Sequence, residues 1–131
     1  MKKKYKFISF IVLLCMLASP VIAENKISKD PVYHVVLVWL KTYRNQERIN
    51  KIIEATKELK NIPGVLEINA GKVLRSSRVI VDDTFDVGII MKFASSEDLE
   101  NYLIHPLHVK IANEVIKPLA NRVVVYDTII K

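Results

Sequence analysis

The chain has 131 residues, 50% of them hydrophobic, which suits one domain closing a modest core. Its net charge of +6 is misleading as a sign of nucleic-acid binding, because four lysines and no acid fall in residues 1–23; without them 16 basic and 14 acidic residues remain, net +2. Those charges are interspersed rather than clustered, as on a solvated surface, and no RNA- or DNA-binding motif is present.

The N-terminus reads as an export signal. Met1 to Lys6 is cationic, Phe7 to Leu17 is apolar, and Ser19-Pro20-Val21-Ile22-Ala23 offers small residues for cleavage after Ala23. The apolar run is shorter than the roughly 20 residues a spanning helix needs, so no stable membrane anchor is expected after cleavage. A lipid anchor on Cys15 is disfavoured by Leu14, which stands where a small residue is required. Cys15 is the one cysteine and leaves with the signal, so the exported domain, periplasmic or secreted, has neither disulfide nor thiol chemistry. Residues 24–30 read as a polar tether, and the domain as residues 31–131.

Val32 to Leu40 is rich in β-branched and aromatic residues on both parities, so both faces of this first strand need cover: Tyr33, Val35, Leu37 and Trp39 on one, His34, Val36, Val38 and Leu40 on the other. Asn45 caps a helix reaching about Lys60, with Ile49, Ile52, Ile53, Thr56 and Leu59 at helical spacing. Ile62-Pro63-Gly64 stops it, and Val65 to Leu74 is a second strand. After a polar loop from Arg75 to Asp83, Phe85, Val87, Ile89, Met91 and Phe93 alternate with Asp86, Gly88 and Lys92, the period of a third strand. Ser95, with Asp98 three residues on, forms a capping box for a helix over Leu99 to Ile104. Pro106 restarts the helix through about Lys117, Leu107, Ile111 and Val115 forming its apolar side, Pro118 closes it, and Arg122 to Ile130 is a fourth strand.

The order β-α-β-β-α-β is that of an α+β, ferredoxin-like fold: a four-stranded antiparallel sheet with both helices on one face. The second face carries apolar residues and has no cover within the chain, so a homodimer of sheets, a dimeric α/β barrel, is expected.

The three histidines are His34 in mid-strand and the pair in Tyr102-Leu103-Ile104-His105-Pro106-Leu107-His108. A neutral imidazole takes a proton from carbon beside a carbonyl, and a phenol donates to the oxyanion that forms. Each also has a bland reading: His105 ties down the backbone at the helix break, and His34, Tyr102 and His108 pack in the core with their polar tips satisfied. Trp39, Ile111 and Leu119 line a cavity or fill a core. Two histidines across a proline break are too few for a metal site, so no metal is expected. The neighbouring acids Asp82-Asp83, with Asp86 close by, read as solvated. Three glycines make no phosphate-cradling loop, and nothing calls for a cofactor.

The mid-strand Tyr33-His34, the YxxHPxH segment, the Ile62-Pro63-Gly64-Val65 turn and Phe93-Ala94-Ser95 together resemble the stress-responsive A/B barrel (Dabb) family, from about Val32 to Asp127. That family includes plant stress proteins and a plant polyketide cyclase that closes a ring by aldol chemistry. The resemblance implies catalytic roles for Tyr102 as oxyanion donor and His108 as general base, and places His34 on the family's first-strand histidine. The likeness to the cyclase stops there: a pocket tyrosine of that enzyme falls on Ala55, and a third-strand histidine falls near Val87. Three functions follow. The first is binding of a small hydrophobic or aromatic molecule between helices and sheet, with His34, His105, Trp39, Ile111 and Leu119 as candidate lining. The second is a cofactor-free cyclase or isomerase using His108 and Tyr102. The third is a monooxygenase-like barrel, which rests on fold analogy alone.

Overall fold

A computed structural model describes residues 27–131. The export signal read at residues 1–23 and the first part of the tether lie outside the described residues. The elements run β1 (Val32–Leu40), α1 (Gln46–Lys57), a 3₁₀ turn (Glu58–Asn61), β2 (Val65–Lys72), β3 (Val87–Phe93), α2 (Ser96–Leu103), α3 (Pro106–Ile111), a π turn (Ala112–Ile116), one further helical turn (Lys117–Leu119) and β4 (Ala120–Ile129). The strands form one antiparallel sheet in the order β2-β3-β1-β4, the ferredoxin-like arrangement.

Local chemistry sets the ends of these elements. The Asn45 side chain accepts from the Arg48 N–H at 2.9 Å and starts α1, while Ser95 accepts from the Asp98 N–H at 3.2 Å and starts α2. Gly64 sits at φ +89°, and a Cβ there would stand 2.9 Å from that of Asp98, so the turn after α1 takes glycine for both conformation and space. Along β1, His34, Val38 and Leu40 are buried under the helices, where β3 sends Val87, Ile89, Met91 and Phe93. The α1 stripe of Ile49, Ile52 and Thr56, continued by Leu59, closes the core from above.

Three local expectations are corrected. The helix does not end at Pro118: Lys117 N–H reaches back five residues to the Ala112 carbonyl, and Pro118, with no N–H to place, joins one more turn. Phe85 does not share a face with Val87, since it lies before β3 on the far side of the sheet, edge-on to Trp39 at 6.2 Å. Asp86 is not a solvated acid. Fully buried, it accepts from the Leu40 N–H at 2.8 Å and the Arg44 N–H at 2.7 Å, fixing the chain as it leaves β1 with Arg44 at φ +55°.

Candidate active site

Between the sheet and the helical segment from α2 to Leu119 lies a cavity of about 250 Å³. Its wall is aliphatic, from residues such as Val36, Ile89, Met91 and Ile116, with three polar rings: His34, Tyr102 and His108. The strand β1 delivers His34 from below, Tyr102 descends from the last turn of α2, and Pro106 restarts the helix so that His108 falls in the first turn of α3. The ring centroids of Tyr102 and His108 stand 4.5 Å apart, and those of His34 and Tyr102 6.0 Å apart.

Hydrogen bonding assigns the tautomers. His34 Nδ1 lies 2.6 Å from Asp127 Oδ1, and a carboxylate only accepts, so Nδ1 carries the hydrogen and Nε2 is left bare. His108 Nδ1 lies 2.9 Å from the Leu103 carbonyl, and by the same argument its Nε2 is bare in the neutral ring. Burial pushes the His108 imidazole below its ordinary value, the Leu103 carbonyl opposes that, and the neighbouring His34 and His105 add to the lowering. The ring is therefore neutral at pH 7. Burial alone pushes the Tyr102 phenol well above its ordinary value, so it stays protonated and able to donate. Among the described residues nothing hydrogen-bonds the Tyr102 hydroxyl, and the oxygen is not sealed in the core, so it opens onto the cavity.

The structure thus brings together four of the seven site residues expected from sequence: His34, Tyr102, His108 and Ile111. The other three stand outside the cavity wall. His105 is the N-cap of α3, its Nδ1 accepting from the Leu107 N–H at 3.2 Å rather than donating to a free carbonyl. Trp39 points to the opposite face of the sheet, where it donates to Thr84 Oγ1 at 2.9 Å and carries the Arg122 guanidinium on its ring at 4.5 Å. Leu119 is half-buried and packs against the core. The residue that sequence reasoning missed is Asp127. It lies 93 positions from His34, and only the pairing of β4 with β1, which sets His34 opposite Asp127, joins them. Among the described residues, no group of three or more histidine, cysteine or acidic side chains is placed to hold a metal ion.

The sequence profile of the stress responsive A/B barrel domain matches residues 32–130. The chain belongs to that family. A relative from Arabidopsis thaliana, the stress-response A/B barrel domain-containing protein DABB1, is 33% identical over 84 residues, 63% of this chain and 40% of that protein. The chain therefore spans well under half the length of that relative. Among solved structures, the hydroxynitrile lyase from Passiflora edulis superposes with a TM-score of 0.68 at 28% identity, covering 79% of this chain and 95% of that one. A dimeric protein of unknown function and ferredoxin-like fold from Bacteroides fragilis gives a TM-score of 0.63 at 21% identity, covering 79% and 99%. The fold and the family expected from sequence are thereby shown.

Proposed function

We propose that this chain binds a small apolar carbonyl compound, or one that becomes a carbonyl, in the cavity and moves a proton on it without a cofactor. The observation that carries this reading is the 2.6 Å contact of His34 with Asp127 beside an otherwise aliphatic cavity. The His34 side chain is 5% exposed and that of Asp127 49%, and the carboxylate holds the ring in the tautomer whose Nε2 is free to take a proton. Tyr102 then donates to the oxygen on which charge collects. The sequence reading gave the base role to His108. On the strength of its carboxylate partner we assign it to His34 instead, with His108 packed against Tyr102 and its own bare Nε2 as a second acceptor. The likeness to a hydroxynitrile lyase supports the same chemistry, because splitting a hydroxynitrile into carbonyl and cyanide begins with loss of a hydroxyl proton.

Two further parts of the reading concern setting. Tyr33, Val35, Leu37, Gly88 and Ile90 share the sheet face that no helix among the described residues covers, and a second copy packed there forms the barrel; that a ferredoxin-like neighbour from Bacteroides fragilis is dimeric supports such pairing. The cationic start and apolar run before Ala23 support export.

The test is proton abstraction itself. The protein, expressed as the full chain, is incubated in D2O with 2-heptanone, and deuterium entering the carbon beside the carbonyl is followed by NMR; cleavage of mandelonitrile is followed in parallel by the absorbance of benzaldehyde. Wild type should be active in at least one assay. His34→Asn and Tyr102→Phe should each lose about 10²-fold or more while melting within a few degrees of wild type. No activity in either assay, with an apolar molecule retained in native mass spectrometry, would replace the enzyme reading with binding alone.

A further inference from the structure

The sheet face away from the helices has a gap in it. Gly71 on β2 and Gly88 on β3 stand opposite each other in the register, and they line a hollow of about 390 Å³. Its wall is mainly apolar, with Val35, Leu37, Phe85 and Ile90 in it, and Asn69 and Lys72 are its polar members.

Nothing within the described chain asks for glycine at either position. Of the three glycines only Gly64 has a positive φ, so Gly71 and Gly88 hold strand backbone that any residue adopts. A Cβ on Gly71 would meet nothing within 4 Å, and one on Gly88 would lie 3.5 Å from the Phe85 ring and 3.7 Å from Leu37, ordinary contact distances. Glycine in a strand costs backbone entropy and leaves no side chain to pack, so two of them face to face weaken β2 and β3 without any gain inside the protomer. What they supply is the space they clear. An apolar space on an open face stabilises the protein only once another surface fills it.

The same face carries a side chain that fits. Tyr126 on β4 pairs with Val35 on β1, which pairs with Ile90 on β3, so all three share the open face, and Tyr126 is 57% exposed. It stands roughly 12 Å across the sheet from the middle of the glycine pair and two residues, roughly 7 Å, along it. A strand side chain stands nearly perpendicular to its sheet, so Tyr126 does not reach the hollow of its own chain. The hollow lies on the β2–β3 half of the sheet and Tyr126 on the β4 edge, on opposite sides of the midline. A twofold axis between two such faces therefore carries each tyrosine to the other copy's hollow. With those offsets the axis lies about 30° from the strands, close to the tilt of about 35–45° that strands take to the axis of a closed barrel.

We propose that Tyr126 of a second copy fills the hollow beside Gly71 and Gly88, and that this exchange, made twice, sets how the two sheets pair. This rests on the dimer proposed above and names the contact that fixes its register.

The experiment is sedimentation equilibrium of the full-chain protein over a range of concentrations, with circular dichroism as the check on folding. Wild type should be a dimer. Gly71→Val should raise the dimer dissociation constant about tenfold or more with the circular dichroism of wild type, because the new side chain has room in the protomer and none beside the tyrosine. Tyr126→Ala should weaken the dimer by about tenfold or more as well. The double variant should be no weaker than Gly71→Val alone, since the two changes remove one contact. A monomeric wild type would overturn the dimer and this inference with it. If wild type is a dimer and Gly71→Val folds and pairs as tightly, or Tyr126→Ala has no effect, or the two effects add, the inference is overturned and the dimer stands. Should Gly71→Val lose its circular dichroism, Tyr126→Ala, a change at an exposed position, decides alone.

Discussion

The two faces of the one sheet are built from similar residues and meet opposite fates. On the helix side Val38, Val87, Ile89, Met91 and Phe93 are no more than 2% exposed. On the other side Ile90 is 47% and Tyr126 57% exposed, although both alternate with those buried residues or their partners along the same strands. The helices of the single chain cover one face only, and the apolar composition of the other is accounted for by the dimer proposed above.

Phe93→Ala should lower the free energy of unfolding by about 3–5 kcal/mol, because it empties the point where His34, Tyr102 and the core meet. Chemical denaturation reads this, and a loss under 1 kcal/mol would mean that the helix side is not the true core. At the end of the sheet, Asp86→Ala should cost about 2–3 kcal/mol, since it strands the buried N–H of Leu40 and that of Arg44. On the open face, Ile90→Asp should convert the dimer to monomer in analytical ultracentrifugation, with helical circular dichroism retained. A variant that stays dimeric would place the partner elsewhere.

The smallest effect is set by pH. His108 has a folded pKa below its unfolded value, so below about pH 6.5 the unfolded chain takes up a proton that the folded one refuses. Its contribution is level above that pH and destabilising as pH falls below it. The melting temperature of His108→Gln should therefore decline less between pH 7 and pH 5.5 than that of wild type. Equal declines would show that the half-buried ring titrates as if it were in water.

The helix starts at Asn45 and Ser95 were legible because a cap is a relation between neighbours in sequence. So was the third strand, expected from Phe85 and found over Val87–Phe93, because every second residue from Val87 is apolar. Asp86 misled because its polarity spoke for solvent, and its role depends on two N–H groups 42 and 46 residues away. Trp39 misled for a related reason: aromatic character marks burial without saying on which side of a sheet.

By itself, then, the sequence determined the order of elements, the family and the presence of Tyr102 and His108 in one short segment, all of which follow from local pattern. Tertiary structure alone decided that Asp127 meets His34, that His105 lies outside the cavity, and that Trp39 faces away from it. Those are matters of strand register and helix phase. A displacement of one residue in either turns a side chain to the other face, and no local preference of the chain fixes that choice.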